Sequence, residues 1–349
     1  SMKVQISKST TINSVDFSNL SFGEIFTDHM FECDFENGEW KEPKIIPYQP
    51  IKMDPSTSVF HYGQAIFEGL KAYKDKNGQV WLFRPEENLN RLNKSAIRLS
   101  IPEFPKIFFL EGLKKLLTID KNWIRPGIGN SLYIRPFVFA SQAGVQASPS
   151  NRYKFMIICS PAKSYYSGET NVKIEEKYSR AAPGGVGYAK TAGNYAAQFY
   201  PTSLAIKDGF QQIIWTDSNT NKFIEESGTM NIFVKIDNTL ITTPVSDTIL
   251  DGVTRKSILE IAKSIGLKVE VRPLSVDELV KSSINNSLEE MFGCGTAVVV
   301  NPIKSFGFRN KKYILPINQD PISNFLKEKI ISIQYNLSED TFNWRYKIF

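Results

Sequence analysis

The sequence predicts a two-domain α/β protein with mixed sheets, and three observations lead there. At 349 residues the chain is longer than one hydrophobic core usually organises. Its 42% hydrophobic and 22% charged residues are those of a soluble globular protein. Strand-like and helix-like segments alternate along it, and no internal repeat breaks the pattern.

Taken in order, VWLFRP (80–85), SLYIRPFVFA (131–140) and KFMIICSP (154–161) read as strands from their β-branched and aromatic content. Between the first two, Leu89, Leu92, Ala96 and Leu99 recur at helical spacing, and 107–119 reads as a second helix. These elements make a first domain over 1–161. The polar, turn-forming AKSYYSGETN (162–171) is the expected linker, and 172–349 the second domain. That half begins with a helix at 195–208, a strand QQIIWTD (211–217) and a hairpin NIFVKIDNTLITTP turning at Asp237–Asn238. A helix from Thr254 to Ile265, strands in LKVEVRPL and around AVVVNP, and helices near 275–283 and 321–337 complete it.

Composition excludes several classes. The net charge of +6, from 42 Lys and Arg against 36 Asp and Glu, is scattered and forms no basic run of the nucleic-acid-binding kind. Cys33, Cys159 and Cys294 are widely spaced with no C-x-x-C, so neither a disulfide framework nor a metal site is expected. No apolar run approaches the roughly 20 residues of a membrane span. The first arginine is Arg84, which does not fit an Arg-rich transit peptide, and the expected compartment is the cytoplasm.

One lysine stands out. In GGVGYAKTAGNYAAQ (184–198), glycines precede Lys190, Gly193–Asn194 offers a turn, and the neighbours are small or aromatic, as a partly buried lysine needs. A solvated loop lysine has the same local pattern, so other segments must decide. FIEESGTMNIF (223–233) carries Glu225 and Glu226 before a turn at Gly228. LDGVTRKS (250–257) leads a Gly-Val-Thr turn into a helix, and FGCGTAVVV (292–300) offers a further glycine turn with a threonine. Turns of this kind present amides and hydroxyls to a phosphate. A lysine, a carboxylate and a phosphate cradle are what pyridoxal phosphate requires: a covalent anchor, a partner that keeps the pyridine nitrogen protonated, and a grip on the phosphate. A non-catalytic nucleotide- or phosphate-binding module would use the same turns, although no G-x-x-x-x-G-K-[ST] is present.

The chain resembles the branched-chain amino acid aminotransferases, pyridoxal-phosphate enzymes of fold type IV. The resemblance is carried by FGEIFTDHMF (22–31), HYGQAIFEGLKAY (61–73), LFRPEENLNRLNKSAIRL (82–99), LYIRPF (132–137), KTAGNYAA (190–197), EESGTMNIF, DGVTRKSIL and FGCGTA. It implies that Lys190 carries the cofactor and shuttles the substrate proton, that Glu226 partners the pyridine nitrogen, and that Tyr195 meets the phenolic oxygen. Arg91, Val253, Thr254 and Thr296 would hold the phosphate, with Thr229 also in the cofactor site. Phe31, Tyr62, Phe67, Tyr133, Arg135 and Tyr165 would line the side-chain pocket, with Tyr62 lent by the neighbouring subunit of a homodimer. Thr296 and Ala297 amides would take the α-carboxylate. The implied reaction is a ping-pong transfer of the amino group between L-leucine, L-isoleucine or L-valine and 2-oxoglutarate, giving L-glutamate. Because 2-oxoglutarate shares the site with apolar side chains, its distal carboxylate needs a partner there. Arg135, flanked by aromatics, can pair with it bidentately or lie against a ring. D-amino-acid aminotransferases and aminodeoxychorismate lyases share the lysine and glutamate, but not the FTDHM segment or the GTMN form.

Overall fold

The computed structural model describes residues 2–164 and 169–349. The chain forms two compact units, one of Ser1–Tyr165, Ala189–Ala192 and Ser332–Phe349, the other of Tyr166–Tyr188 and Gly193–Ile331.

The first unit is built on a ten-stranded sheet. Its centre is His29–Glu36, Tyr153–Lys163, Asn130–Ala140 and Leu70–Lys74, joined by antiparallel ladders. Strand periodicity gives each of these strands two faces. In Asn130–Ala140, Leu132 and Ile134 are buried while Tyr133, Arg135 and Phe137 are half-buried. The buried face packs under the helices Pro85–Arg98 and Lys106–Ile119: Leu89, Leu92, Ala96, Phe109, Leu113 and Leu116 join Leu132, Ile134, Phe155 and Ile157 in one core. Pro85 at the first helical position, with Glu86 and Glu87 behind it, suits a helix start.

The second unit holds another ten-stranded mixed sheet. Its hairpin joins Met230–Ile236 to Thr239–Thr242 through Asp237 and Asn238, both at positive φ (47° and 60°), as a tight two-residue hairpin turn requires. Helices Val253–Ser264 and Val276–Ile284 are present. The second is capped by Ser275, whose hydroxyl accepts from the Glu278 amide.

Several expectations change. The Tyr153–Lys163 strand extends into the expected linker. The segments 189–192 and 332–349, expected in the second half, group with the first unit. A bridge between Ile66 and Thr191 ties in the former, and the pairing of Arg345–Lys347 with Val80–Phe83 the latter. The helix expected at 195–208 is two, Ala192–Ala196 and Phe199–Lys207. Gly193 and Asn194 are therefore helical, with the Asn194 side-chain Nδ2 donating to the Val186 carbonyl. Pro201 falls in the first turn of the second helix, where its missing N–H costs nothing. Gly293 and Gly295 lie in the Leu288–Gly295 strand, and the turn follows at 296–298. A side chain at Gly293 would strike the Met230 sulfur, 2.5 Å from the added Cβ.

Candidate active site

In the first unit Lys190 is fixed by its backbone. Its amide donates to Ser95 Oγ at 2.8 Å and its carbonyl accepts from the Phe67 amide at 3.1 Å. The half-buried side chain places Nζ 4.8 Å from the centroid of the Phe67 ring. The Arg135 guanidinium lies 4.5 Å from the same centroid and 5.4 Å from that of Tyr133. Its Nε donates to the Glu68 carbonyl at 3.0 Å and its Nη2 to the Tyr133 hydroxyl at 2.9 Å. Tyr133 can stand there because residue 69 is glycine: a Cβ would lie 2.3 Å from the phenolic oxygen. Lys190, Phe67, Arg135 and Tyr133 thus form one cluster of cations on aromatic rings.

Arg91, expected at the phosphate, is paired with a carboxylate. It is buried, and its Nε and Nη2 donate to the two carboxylate oxygens of Glu68, each at 2.8 Å. Glu68 has no exposed surface, and a carboxylate so placed demands a bidentate cation. Asn88 adds a third donor at 3.0 Å.

Phe31, expected in the side-chain pocket, is a core residue. It is 0% exposed, edge-on to Phe104 and Phe155, and its ring fills the space that a Cβ at Gly112 would need. Strand alternation turns it toward the helices. Phe22 instead meets Tyr133, edge to face at 4.9 Å. Tyr62 ends a short helix, 48% exposed, with its hydroxyl donating to the Val145 carbonyl at 2.5 Å. Tyr165 lies outside the described residues.

The remaining candidates belong to the second unit. Glu226 is buried in the Ile224–Ser227 strand. One of its oxygens meets Arg180 Nη1 at 2.8 Å and the Leu250 amide at 3.0 Å. Glu225 differs: it accepts from the Thr248 hydroxyl, and burial raises its carboxyl above the ordinary range. The adjacent carboxylates therefore have separate partners, and the one set against a guanidinium is Glu226. Tyr195, Gly228 and Thr229 line a cavity of about 390 Å³ with Gln198 and Trp215. Val253 and Thr254 open a helix whose N-cap residue, Gly252, has no side chain to cap its first amides. Its start is pressed against Asn231, whose Oδ1 would lie 2.0 Å from a Cβ on Gly252. Thr296 and Ala297 form the turn after Leu288–Gly295. Among the described residues no three His, Cys, Asp or Glu side chains are grouped to hold a metal.

The profile of the amino-transferase class IV family matches residues 65–306. The chain belongs to the class IV aminotransferases. Within that family it is 45% identical over 334 residues to the probable branched-chain-amino-acid aminotransferase of Staphylococcus aureus, covering 94% of this chain and 93% of the relative. It is 43% identical over 339 residues to branched-chain-amino-acid transaminase 1 of Bacillus subtilis, covering 95% of each. The crystal structure of the Escherichia coli branched-chain amino acid aminotransferase aligns with a TM-score of 0.74 at 25% identity, over 91% of this chain and 99% of that one. In this class IV aminotransferase the residues present fit a phosphorylated pyridine cofactor on their own chemistry. An uncapped helix start behind a glycine that admits no side chain suits a phosphate, a buried carboxylate beside a guanidinium suits a ring nitrogen, and a lysine against an aromatic ring suits the covalent anchor. Phe22, Glu68 and Arg180 escaped the sequence reading. Each had a signal, in FGEIF, IFEG and YSRAAPGG, but a lone residue beside glycine or alanine names no partner.

Proposed function

We propose that this class IV aminotransferase moves the amino group of L-leucine, L-isoleucine or L-valine to 2-oxoglutarate, with pyridoxal phosphate anchored at Lys190. Bound pyridoxal phosphate supplies an electron-accepting ring conjugated to the substrate's Cα. Lys190 Nζ would hold the cofactor and carry the proton from the substrate's Cα to the cofactor's C4′ carbon. Glu226 holds the proton at the ring nitrogen, and Tyr195 holds the phenolic oxygen. Arg91, Val253, Thr254 and Thr296 hold the phosphate, and Thr229 closes that side. The amides of Thr296 and Ala297 and the Tyr62 hydroxyl orient the α-carboxylate, with Tyr62 reaching into the neighbouring site of a homodimer. Phe67, Tyr133, Arg135, Tyr165 and Phe22 shape the side-chain pocket and exclude water. We place the reaction in the cytoplasm; recovery of the protein with membranes on cell fractionation would contradict that. Among the described residues no helix is long and apolar enough to cross a membrane.

The observation that supports this reading best is Arg135 between the Phe67 and Tyr133 rings. A leucine side chain can lie against the rings, whereas the distal carboxylate of 2-oxoglutarate needs the guanidinium. Arg135→Met should therefore weaken 2-oxoglutarate and glutamate by about 2–5 kcal/mol, the range for removing one member of a buried charge pair. Leucine should lose far less, and the two half-reactions can be measured separately on one protein. Equal losses in both would show that Arg135 serves the fold or the shared α-carboxylate.

A further inference from the structure

Arg180 has no part in the reaction as described so far, yet its surroundings are built with care. Its side chain is 2% exposed, and Nη1 lies 2.8 Å from Glu226 Oε1. Nη1 also donates to the Thr248 carbonyl at 3.1 Å and Nη2 to the Gly187 carbonyl at 3.0 Å, while Nε has no partner among the described residues. The chain is shaped to allow this. Ala181 is small, and residue 187 must be glycine, since a Cβ there would lie 2.4 Å from the Ala181 Cβ and 2.9 Å from the Thr248 backbone. The segment therefore folds back on itself and closes on the loop that supplies the Leu250 amide to Glu226.

A buried guanidinium needs an anion. Two carboxyls are near, and they are not equivalent. Burial favours the acid form of Glu225, which the Thr248 hydroxyl engages, whereas Glu226 touches the arginine directly. The positive charge of Arg180 is thus matched to Glu226.

We infer that Arg180 is a positioning residue for the transamination: it holds Glu226 as a carboxylate, so that the shared proton stays on the cofactor's ring nitrogen. This rests on the reading in which Glu226 faces that nitrogen. A buried carboxylate without its guanidinium favours its neutral acid. Removing the charge at 180 therefore transfers one proton from ring nitrogen to Glu226, leaving a neutral pyridine and a weaker electron sink; no other bond changes. A clamp that merely held the Gly187 and Thr248 carbonyls would not move that proton.

The test loads the protein with pyridoxal phosphate labelled with ¹⁵N in the ring and reads the nitrogen's chemical shift in the wild type, Arg180→Gln, Arg180→Lys and Glu226→Gln. Glutamine keeps donors for the carbonyls but not the charge; lysine keeps the charge. The wild type and Arg180→Lys should give a pyridinium shift, and Arg180→Gln and Glu226→Gln a neutral-pyridine shift, with turnover falling in the latter two while cofactor stays bound. Where Arg180→Gln fails to load, Arg180→Met provides the second uncharged variant. A pyridinium shift in a folded, uncharged variant at 180, with the shift lost in Glu226→Gln, overturns the role of Arg180. A pyridinium shift retained in Glu226→Gln overturns instead the underlying assignment of Glu226.

Discussion

Phe31 and Phe22 show how far a single residue can be read before its surroundings are known. Both sit in the FGEIFTDHMF motif, and both are apolar, so residue type does not separate core from pocket. The sheet does: Phe31 is sealed against Phe104, Phe155 and the helix carrying Gly112, while Phe22 is 55% exposed against Tyr133. Phe31→Ala should therefore cost about 3–5 kcal/mol of stability in urea unfolding, as for a fully buried ring, and leave the KM for leucine unchanged in the protein that folds. Phe22→Ala should alter stability by no more than about 0.5 kcal/mol, as at an exposed site, and raise the KM for leucine. The opposite pairing of effects would return Phe31 to the pocket. Lys190 and Glu226 were visible in the sequence as candidates, because each sits in a motif that carries the family resemblance. Their partners, Ser95 and Arg180, were not, because both lie more than 40 residues away in sequence.

At the scale of elements, strand and helix existence was readable wherever periodicity ran for a full element, as in Asn130–Ala140 and Pro85–Arg98. Boundaries shifted where a tertiary contact extended or split the element, as at Lys163 and between Ala196 and Phe199. The strand Leu70–Lys74 carries a feature that its sequence hid. Lys71 stands opposite Tyr133 and is only 6% exposed. Burial pushes its ammonium from the ordinary 10.5 down to about 8. Because the folded value lies below the unfolded one, this group favours folding fully above about pH 10.5, and its contribution is lost as pH falls through 8. At about 1.4 kcal/mol per unit of pKa, the unfolding free energy of the wild type minus that of Lys71→Met should rise by up to about 3 kcal/mol between pH 8 and 10.5. A flat difference over that range would show that Lys71 is charged in the folded chain throughout.

For the whole molecule, the class of fold and the two-part organisation followed from length and from the alternation of elements, but the path of the chain between the units did not. Lys190 joins the first unit through a four-residue excursion, Ala189–Ala192, and the C-terminal Ser332–Phe349 returns to it. Neither pairing leaves a local periodic signal, since both depend on strands distant in sequence. The same holds for assembly. Tyr62, half exposed in a single chain, is proposed to complete the site of a second copy. Lys190→Ala and Tyr62→Phe homodimers should each be impaired, and mixing and refolding them together should recover activity through hybrid dimers that hold one intact site. No recovery, with hybrids present by mass, would place Tyr62 in its own chain's site or in none.

The proposed chemistry requires a cofactor bonded to Lys190. Borohydride reduction of the pyridoxal-phosphate-loaded protein, followed by peptide mapping, tests it directly. One modified peptide is expected, with the pyridoxyl mass on Lys190, and no fixed adduct in Lys190→Ala, which should also fail to transaminate L-leucine with 2-oxoglutarate. An adduct on any other lysine of the active wild-type protein, or full activity in Lys190→Ala, would contradict it.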